Sequence, residues 1–133
     1  MYRKKPIKTT VLDFTSMYPT VTMEMDLWKY IIAKKLKMAD ATDEIKYLLS
    51  RVSLKYLQNM GNWNDFVVMV KIVPNKDILP VRMDYKGKNT TLNVGVNYFS
   101  SKSPMWFALP DVISSVLLTG RVPEIIEAIR FIL

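Results

Sequence analysis

Residues 66–73, FVVMVKIV, form a continuous apolar run rich in β-branched side chains, and this predicts a strand. Such a strand has to be covered by apolar surface from elsewhere in the chain. The flanking sequence offers that surface in two different periods. Downstream the period is two. PNKD (74–77) reads as a turn, and ILPVRMDY (78–85) as a second strand in which Pro80 argues for an edge or a bulge. KGKN (86–89) is another turn, after which Leu92, Val94, Val96 and Tyr98 alternate in a third strand.

On both sides of this region the period is helical. Asp26 is placed to cap LWKYIIAKKLKM (27–38), where Leu27, Tyr30 and Ile31 share a face and lysines gather near the C-terminal end. A second helix follows DATDE, with Ile45, Leu48, Leu49, Val52 and Tyr56 at helical spacing and Gly61 beyond its end. Pro110 opens a further helix that Gly120 closes, and Pro123 opens a last one through EIIEAIRFIL. That run meets no cap, Gly or polar tail before Ile132 and Leu133, which is read as a larger chain or a partner covering this end; a terminal helix docked on the core is the alternative. The expectation is one α+β domain over residues 1–133. It comprises a basic lead-in (1–8), a strand and two helices (9–60), antiparallel strands (65–100) and a helical C-terminal part (108–133).

Composition limits the chemistry. The 133 residues include no Cys and no His, which excludes disulfides, thiolate metal sites and Ser-His or Cys-His catalysis. Any metal would be a hard cation held by Asp or Glu oxygens. The formal charge of +7 favours a polyanionic partner through counterion release. No apolar run approaches the roughly 20 residues of a spanning helix and no signal peptide precedes residue 9, so the expected setting is cytoplasmic, away from the membrane. Asn89-Thr90-Thr91 fits the glycosylation pattern but reads as an ordinary turn.

The stretch TTVLDFTSMYPT (9–20) is where chemistry concentrates. Its apolar, β-branched start predicts a short buried strand that hands over at Asp13 to a Thr-Ser turn, with Pro19 in a first helical turn. A carboxylate at the end of a buried strand is costly unless a proton, a Lys or Arg, backbone donors or metal ions accompany it. Free backbone N–H groups in a strand-turn-helix suit a phosphate, and a carboxylate beside them suits the Mg²⁺ that escorts a nucleoside triphosphate. The competing reading is that Asp13 pairs with a cation and Tyr18 is a core ring.

Asp13-Phe14-Thr15-Ser16-Met17-Tyr18-Pro19-Thr20 resembles motif A of the family B DNA polymerases, Asp-x-x-Ser-Leu-Tyr-Pro-Ser, with Met17 for Leu and Thr20 for Ser. The strict match covers about a dozen residues; a softer likeness extends over MWFALPDVISSVLLTGRVPEIIEAIRF. The resemblance implies a polymerase-palm-like antiparallel sheet with packed helices, part of a larger chain. It implies that Asp13 is the catalytic aspartate that binds both metal ions, and that the Phe14 backbone carbonyl ligates the nucleotide-bound metal. Ser16, Met17 and Tyr18 would contact the incoming deoxynucleotide triphosphate, with Tyr18 as the steric gate against a 2′-hydroxyl. The implied reaction is Mg²⁺-dependent, DNA-templated nucleotidyl transfer on a primer-template in DNA replication, completed by the remaining polymerase domains.

Two further parts of that family's pattern do not occur here, an Asp-Thr-Asp hairpin and a fingers helix with Lys-x-x-x-Asn-Ser-x-Tyr-Gly; KNTTLNVG has the wrong spacing. Asp84 stands alone before a hairpin turn, and Asp65 and Asp77 read as loop carboxylates. The chain alone is therefore expected to be inactive. The alternative function is a non-catalytic basic module that binds nucleic acid or another protein. Arg3, Lys4, Lys5 and Lys8 form a basic arm that is either solvated or in contact with a phosphate backbone. Lys29, Lys34, Lys35 and Lys37 read as a solvated helix face. At least two of Trp28, Trp63 and Trp106 are expected in the core rather than stacked on bases. Asp111, just inside a helix start, complements the dipole.

Overall fold

The computed structural model describes residues 6–84 and 91–133. It is an α+β arrangement in which helices cover one face of a four-stranded antiparallel sheet. The chain runs through α1 (Met17–Glu24), α2 (Trp28–Ile31), β1 (Lys37–Asp40), α3 (Thr42–Arg51), α4 (Leu54–Gln58) and a 3-10 segment (Met60–Phe66). It continues through β2 (Val68–Val73), β3 (Asn75–Asp84), β4 (Thr91–Ser100), β5 (Met105–Ala108), α5 (Leu109–Thr119) and β6 (Glu124–Ile132).

The expected strand at 66–73 is β2, and it lies inside the sheet, whose order is β1-β6-β2-β5. Because β6 is antiparallel to both β1 and β2, those two run parallel, joined through α3 and α4. By the same reasoning β5 and β6 run parallel, joined through α5, with β2 between them. Val68, Val70 and Ile72 alternate into the core, where Ile45 and Leu49 of α3 and Leu109, Val112, Ile113 and Val116 of α5 meet them. The other face of the sheet carries half-buried Met69 and Lys71 and exposed Met38 and Trp106. Across it, the Lys71 ammonium sits 5.7 Å from the Trp106 ring centroid.

The β3–β4 hairpin leaves the sheet and packs on α5, burying Leu79 and Val81. Pro80 is tolerated because the two-stranded ribbon gives it an edge, and the pairing shifts register immediately after, between Val81 and Arg82. The Ser115 hydroxyl, fully buried on α5, accepts the Ile78 N–H at 3.0 Å and fastens the hairpin to the helix. The turn expected at 86–89 and the side chains expected to alternate at Leu92 and Val94 lie outside what is described.

Several helical expectations hold, the first in part. The helix expected from DATDE to Gly61 is broken in two: α3 ends at Arg51, Val52 is extended, and Ser53 caps the separate α4 by accepting the Tyr56 N–H. α3 begins at Thr42, where the Asp40 carboxylate accepts the Thr42 N–H at 3.0 Å as well as its hydroxyl. Those bonds hold the Asp40 carboxyl below its ordinary range. The linked stability is therefore present above the unfolded carboxyl's range and lost as pH falls through the lowered value. Pro110 lies in the first turn of α5, and Gly120 ends that helix in the left-handed region at φ 70°, where a β-carbon would be strained. Asp111 sits in the first turn as expected, though burial pushes its carboxyl up.

Three expectations are corrected. The helix expected at 27–38 is only the short α2, and residues 37–40 form edge strand β1, because Met38 and Ala39 pair with Phe131 and Arg130. The C-terminal part is not all helical: residues 105–108 are β5, and EIIEAIRFI is β6. β6 is bulged, with Lys71 opposite Glu127 and Ile72 opposite Ile125, so Ile126 is an extra residue. The bulge lets Ile125 and Ala128 both face the core at a spacing of three, the spacing that mimics a helix. Residues 9–14, expected as a buried strand, form neither helix nor strand and are exposed.

The register of β6 gives a direct test. Ala128→Leu overfills a position with no exposure and is expected to cost about 1–3 kcal/mol. Ile126→Thr, at the exposed bulge residue, should stay within about 0.5 kcal/mol. Urea midpoints of the two variants check which of these residues faces the core.

Candidate functional site

The motif A-like residues are gathered where residues 9–14, which form neither helix nor strand, lead into α1. Ser16 takes the left-handed conformation, φ 54° and ψ 38°, uncommon for a residue with a β-carbon. It makes the turn into the helix, and its carbonyl accepts the Thr20 N–H at 3.0 Å. The Ser16 side chain does not cap the helix, so the first α1 amides, those of Met17 and Tyr18, have no intrahelical acceptor. Pro19 has no amide to satisfy.

An open, shallow cleft of about 320 Å³ lies at this turn, lined by Asp13, Phe14, Ser16, Met17, Tyr18 and Pro19. Each of the predicted catalytic and nucleotide-contacting residues is thus on its wall. Phe14 and Tyr18 are each 79% exposed, and Val11 and Leu12 are 89% and 88% exposed. Among the described residues Asp13 forms no ion pair and no hydrogen bond. Tyr18 is therefore not a core ring, and among the described residues no cation accompanies Asp13.

The cleft tests poorly as a complete metal centre. Mg²⁺ demands near-octahedral oxygen coordination, and this turn offers the Asp13 carboxylate and the Phe14 carbonyl. Among the described residues no three carboxylates come together anywhere. Asp65 is exposed and remote in role, its carbonyl accepting from Arg130 Nη1 at 2.8 Å. Asp84 ends β3, and its side chain is outside the description.

Other candidates fall elsewhere. Lys8 is exposed, while Arg3, Lys4 and Lys5 lie outside the described residues. Lys29 pairs with Asp26 at 2.7 Å, and Lys34 and Lys35 are exposed in the connection to β1 rather than on a helix. Of the tryptophans, Trp63 packs partly buried against the core with its indole N–H on the Leu57 carbonyl at 2.8 Å. Trp28 is 53% and Trp106 is 39% exposed, so the expectation of two core tryptophans is corrected.

Asp77 is the clearest correction. Read as a loop carboxylate, it has no exposure and is held by Arg121 Nη2 at 3.0 Å and by the Asn75 N–H at 2.8 Å. Arg121 Nη2 also donates to the Asn75 carbonyl. No local pattern announces this pair, because its partners are separated by the hairpin, β5 and α5.

Comparison with models of protein families, with curated proteins and with solved structures finds no match for this chain.

Exposure at the turn makes a stability prediction. Phe14→Ala, Tyr18→Ala and Asp13→Asn should each change the unfolding free energy by less than about 0.5 kcal/mol. A buried ring at either aromatic position would instead cost about 3–5 kcal/mol, which denaturant unfolding resolves easily.

Proposed function

We propose that this chain is the motif A portion of a family B-like DNA-directed DNA polymerase palm. It supplies half of a two-metal nucleotidyl-transfer site and is inactive by itself. The observation that carries this reading is the cleft at the start of α1, where Asp13, Phe14, Ser16, Met17 and Tyr18 share one wall. The unpaired, strand-competent residues before it support the same reading. Val11, Leu12 and Phe14 are apolar and open to solvent, as expected of a strand whose pairing partners belong to another part of the polymerase.

Each residue has a role that its position permits. Asp13, which pairs with no cation among the described residues, is a carboxylate ready for metal ions once further oxygen ligands are supplied. The amides of Met17 and Tyr18 point out of a helix start and suit triphosphate oxygens. The Tyr18 ring, rigid and exposed, is free to pack beneath a sugar and to collide with a 2′-hydroxyl. Mg²⁺, when held with the missing carboxylates, would stabilise charge on the reacting phosphate.

A second reading, a non-catalytic basic module binding nucleic acid, is favoured by the charge of +7 and by the solitary carboxylate. The two readings separate on experiment. The purified chain should extend no primer in Mg²⁺ with all four deoxynucleotides, and should bind Mg²⁺ only in the millimolar range or more weakly by calorimetry. Extension that disappears on Asp13→Ala would overturn the half-site argument.

In the complete polypeptide carrying this chain, Tyr18→Ala should raise ribonucleotide relative to deoxyribonucleotide incorporation by roughly one to three orders of magnitude. That corresponds to about 1.4–4 kcal/mol of differential transition-state binding. Unchanged discrimination in a folded, active variant would remove the steric-gate role and leave the binding-module reading.

A further inference from the structure

We propose that the cleft at the base of the β3–β4 hairpin is a contact site for the phosphate backbone of a nucleic acid strand. The cleft measures about 540 Å³, and its polar lining is Asn75, Ser100, Ser101, Lys102, Arg121 and Glu124. It shares no residue with the turn at Asp13.

Its donors are arranged for an anion. Arg121 is held from behind: Nη2 is committed to buried Asp77 and to the Asn75 carbonyl, while the side chain as a whole is 44% exposed. Among the described residues, its Nε and Nη1 donors have no protein partner. A guanidinium oriented by a buried carboxylate holds its remaining N–H donors in fixed directions, available to phosphate oxygens with little further loss of rotamer freedom. Lys102 is exposed and, among the described residues, forms no ion pair. The two serines add hydroxyl donors. Ser100 Oγ accepts the Lys76 N–H at 2.8 Å and Ser101 Oγ accepts the Ser103 N–H at 3.2 Å, which leaves each O–H hydrogen uncommitted.

The cleft is open to solvent, its apolar lining is Val73 and Pro74, and its lining includes no aromatic ring on which a base could stack, a composition that suits a backbone rather than a base. Exposed Lys76 lies next along the hairpin and extends the positive surface. Such a site reads backbone charge without reading sequence. Glu124 is the one carboxylate in the lining, and it opposes an anion, so its removal should act with the opposite sign to loss of the cations.

The test is fluorescence anisotropy of a labelled single-stranded DNA of about 12 nucleotides, within the usual site size for such proteins. The assay is run in EDTA at several salt concentrations. Metal and nucleotide are then absent, so failure of the two-metal reading and failure of this one are separate results. Lys102→Ala should weaken binding roughly 3–10-fold and reduce the slope of log affinity against log salt by about 0.7, the loss of one single-strand phosphate contact. Glu124→Gln should tighten binding. Arg121→Lys, which keeps a cation on Asp77 but removes the Nε and Nη1 donors, should weaken it. Lys102 and Glu124 are exposed, and matching melting curves for their variants verify that the fold is intact. Unchanged affinity and slope in both Lys102→Ala and Glu124→Gln would overturn the proposal. So would the absence of DNA binding at low salt, or displacement of DNA by pyrophosphate at equal phosphate concentration, which would mark a small-anion site.

Discussion

The burial of one face of β2 is the constraint on which the rest of the structure depends. Val68, Val70 and Ile72 point to the same side, and Val70 and Ile72 have no exposure. At about 25 cal/mol per Å² of apolar surface, covering three such side chains is worth several kcal/mol, enough to decide which helices must pack where. α3 and α5 are the two longest helices and supply Ile45, Leu49, Val112 and Ile113 to that face. Each of these helices joins two strands that run parallel, and in the order β1-β6-β2-β5 another strand lies between the members of each pair.

The hairpin and the motif A-like turn are positioned by different means. The hairpin is tied to α5 through Leu79, the Ser115 hydroxyl and the Asp77–Arg121 pair, so the cleft at its base inherits the rigidity of the core. A buried ion pair contributes little net stability compared with apolar packing, but it fixes geometry strongly, because breaking it strands a charge. Among the described residues the turn at Asp13 has no such anchorage. Its geometry there comes from local backbone, the left-handed Ser16 and the start of α1. Local backbone can place ligand atoms near one another, but it cannot supply the second carboxylate that a cation site needs.

What was legible in the sequence follows the same division. β2 was readable as a continuous apolar run, the body of α3 by its helical period, and α5 by the punctuation at its two ends, Pro110 and Gly120. β6 was not, since the bulge at Ile126 breaks its alternation and leaves apolar residues at helical spacing. β1 was hidden for a related reason: lysines and apolar residues at 34–38 continue a helical pattern, and only pairing with Phe131 and Arg130 makes them a strand. At the turn, residue types pointed to Asp13, Phe14 and Tyr18 as one group, which is a local property. The exposure of the preceding strand-like residues was illegible, because whether a β-rich segment pairs depends on what stands beside it. Asp77 was misread because burial through a distant arginine leaves no local trace.

The order of strands also governs how the chain can acquire its structure during vectorial synthesis. β6 lies between β1 and β2, yet it comes after all the other strands in sequence. When α5 has left the ribosome, β1 still has no neighbour and β2 has only one, so the inner edge of β2 is an open ladder. The hairpin and α5 can associate early, since their contacts are local, but the sheet has to wait for residues 124–132. The nascent chain therefore carries an unpaired apolar edge until residues 124–132 emerge. A pause at that stage would be the interval of greatest risk for association between chains, and of greatest dependence on chaperones.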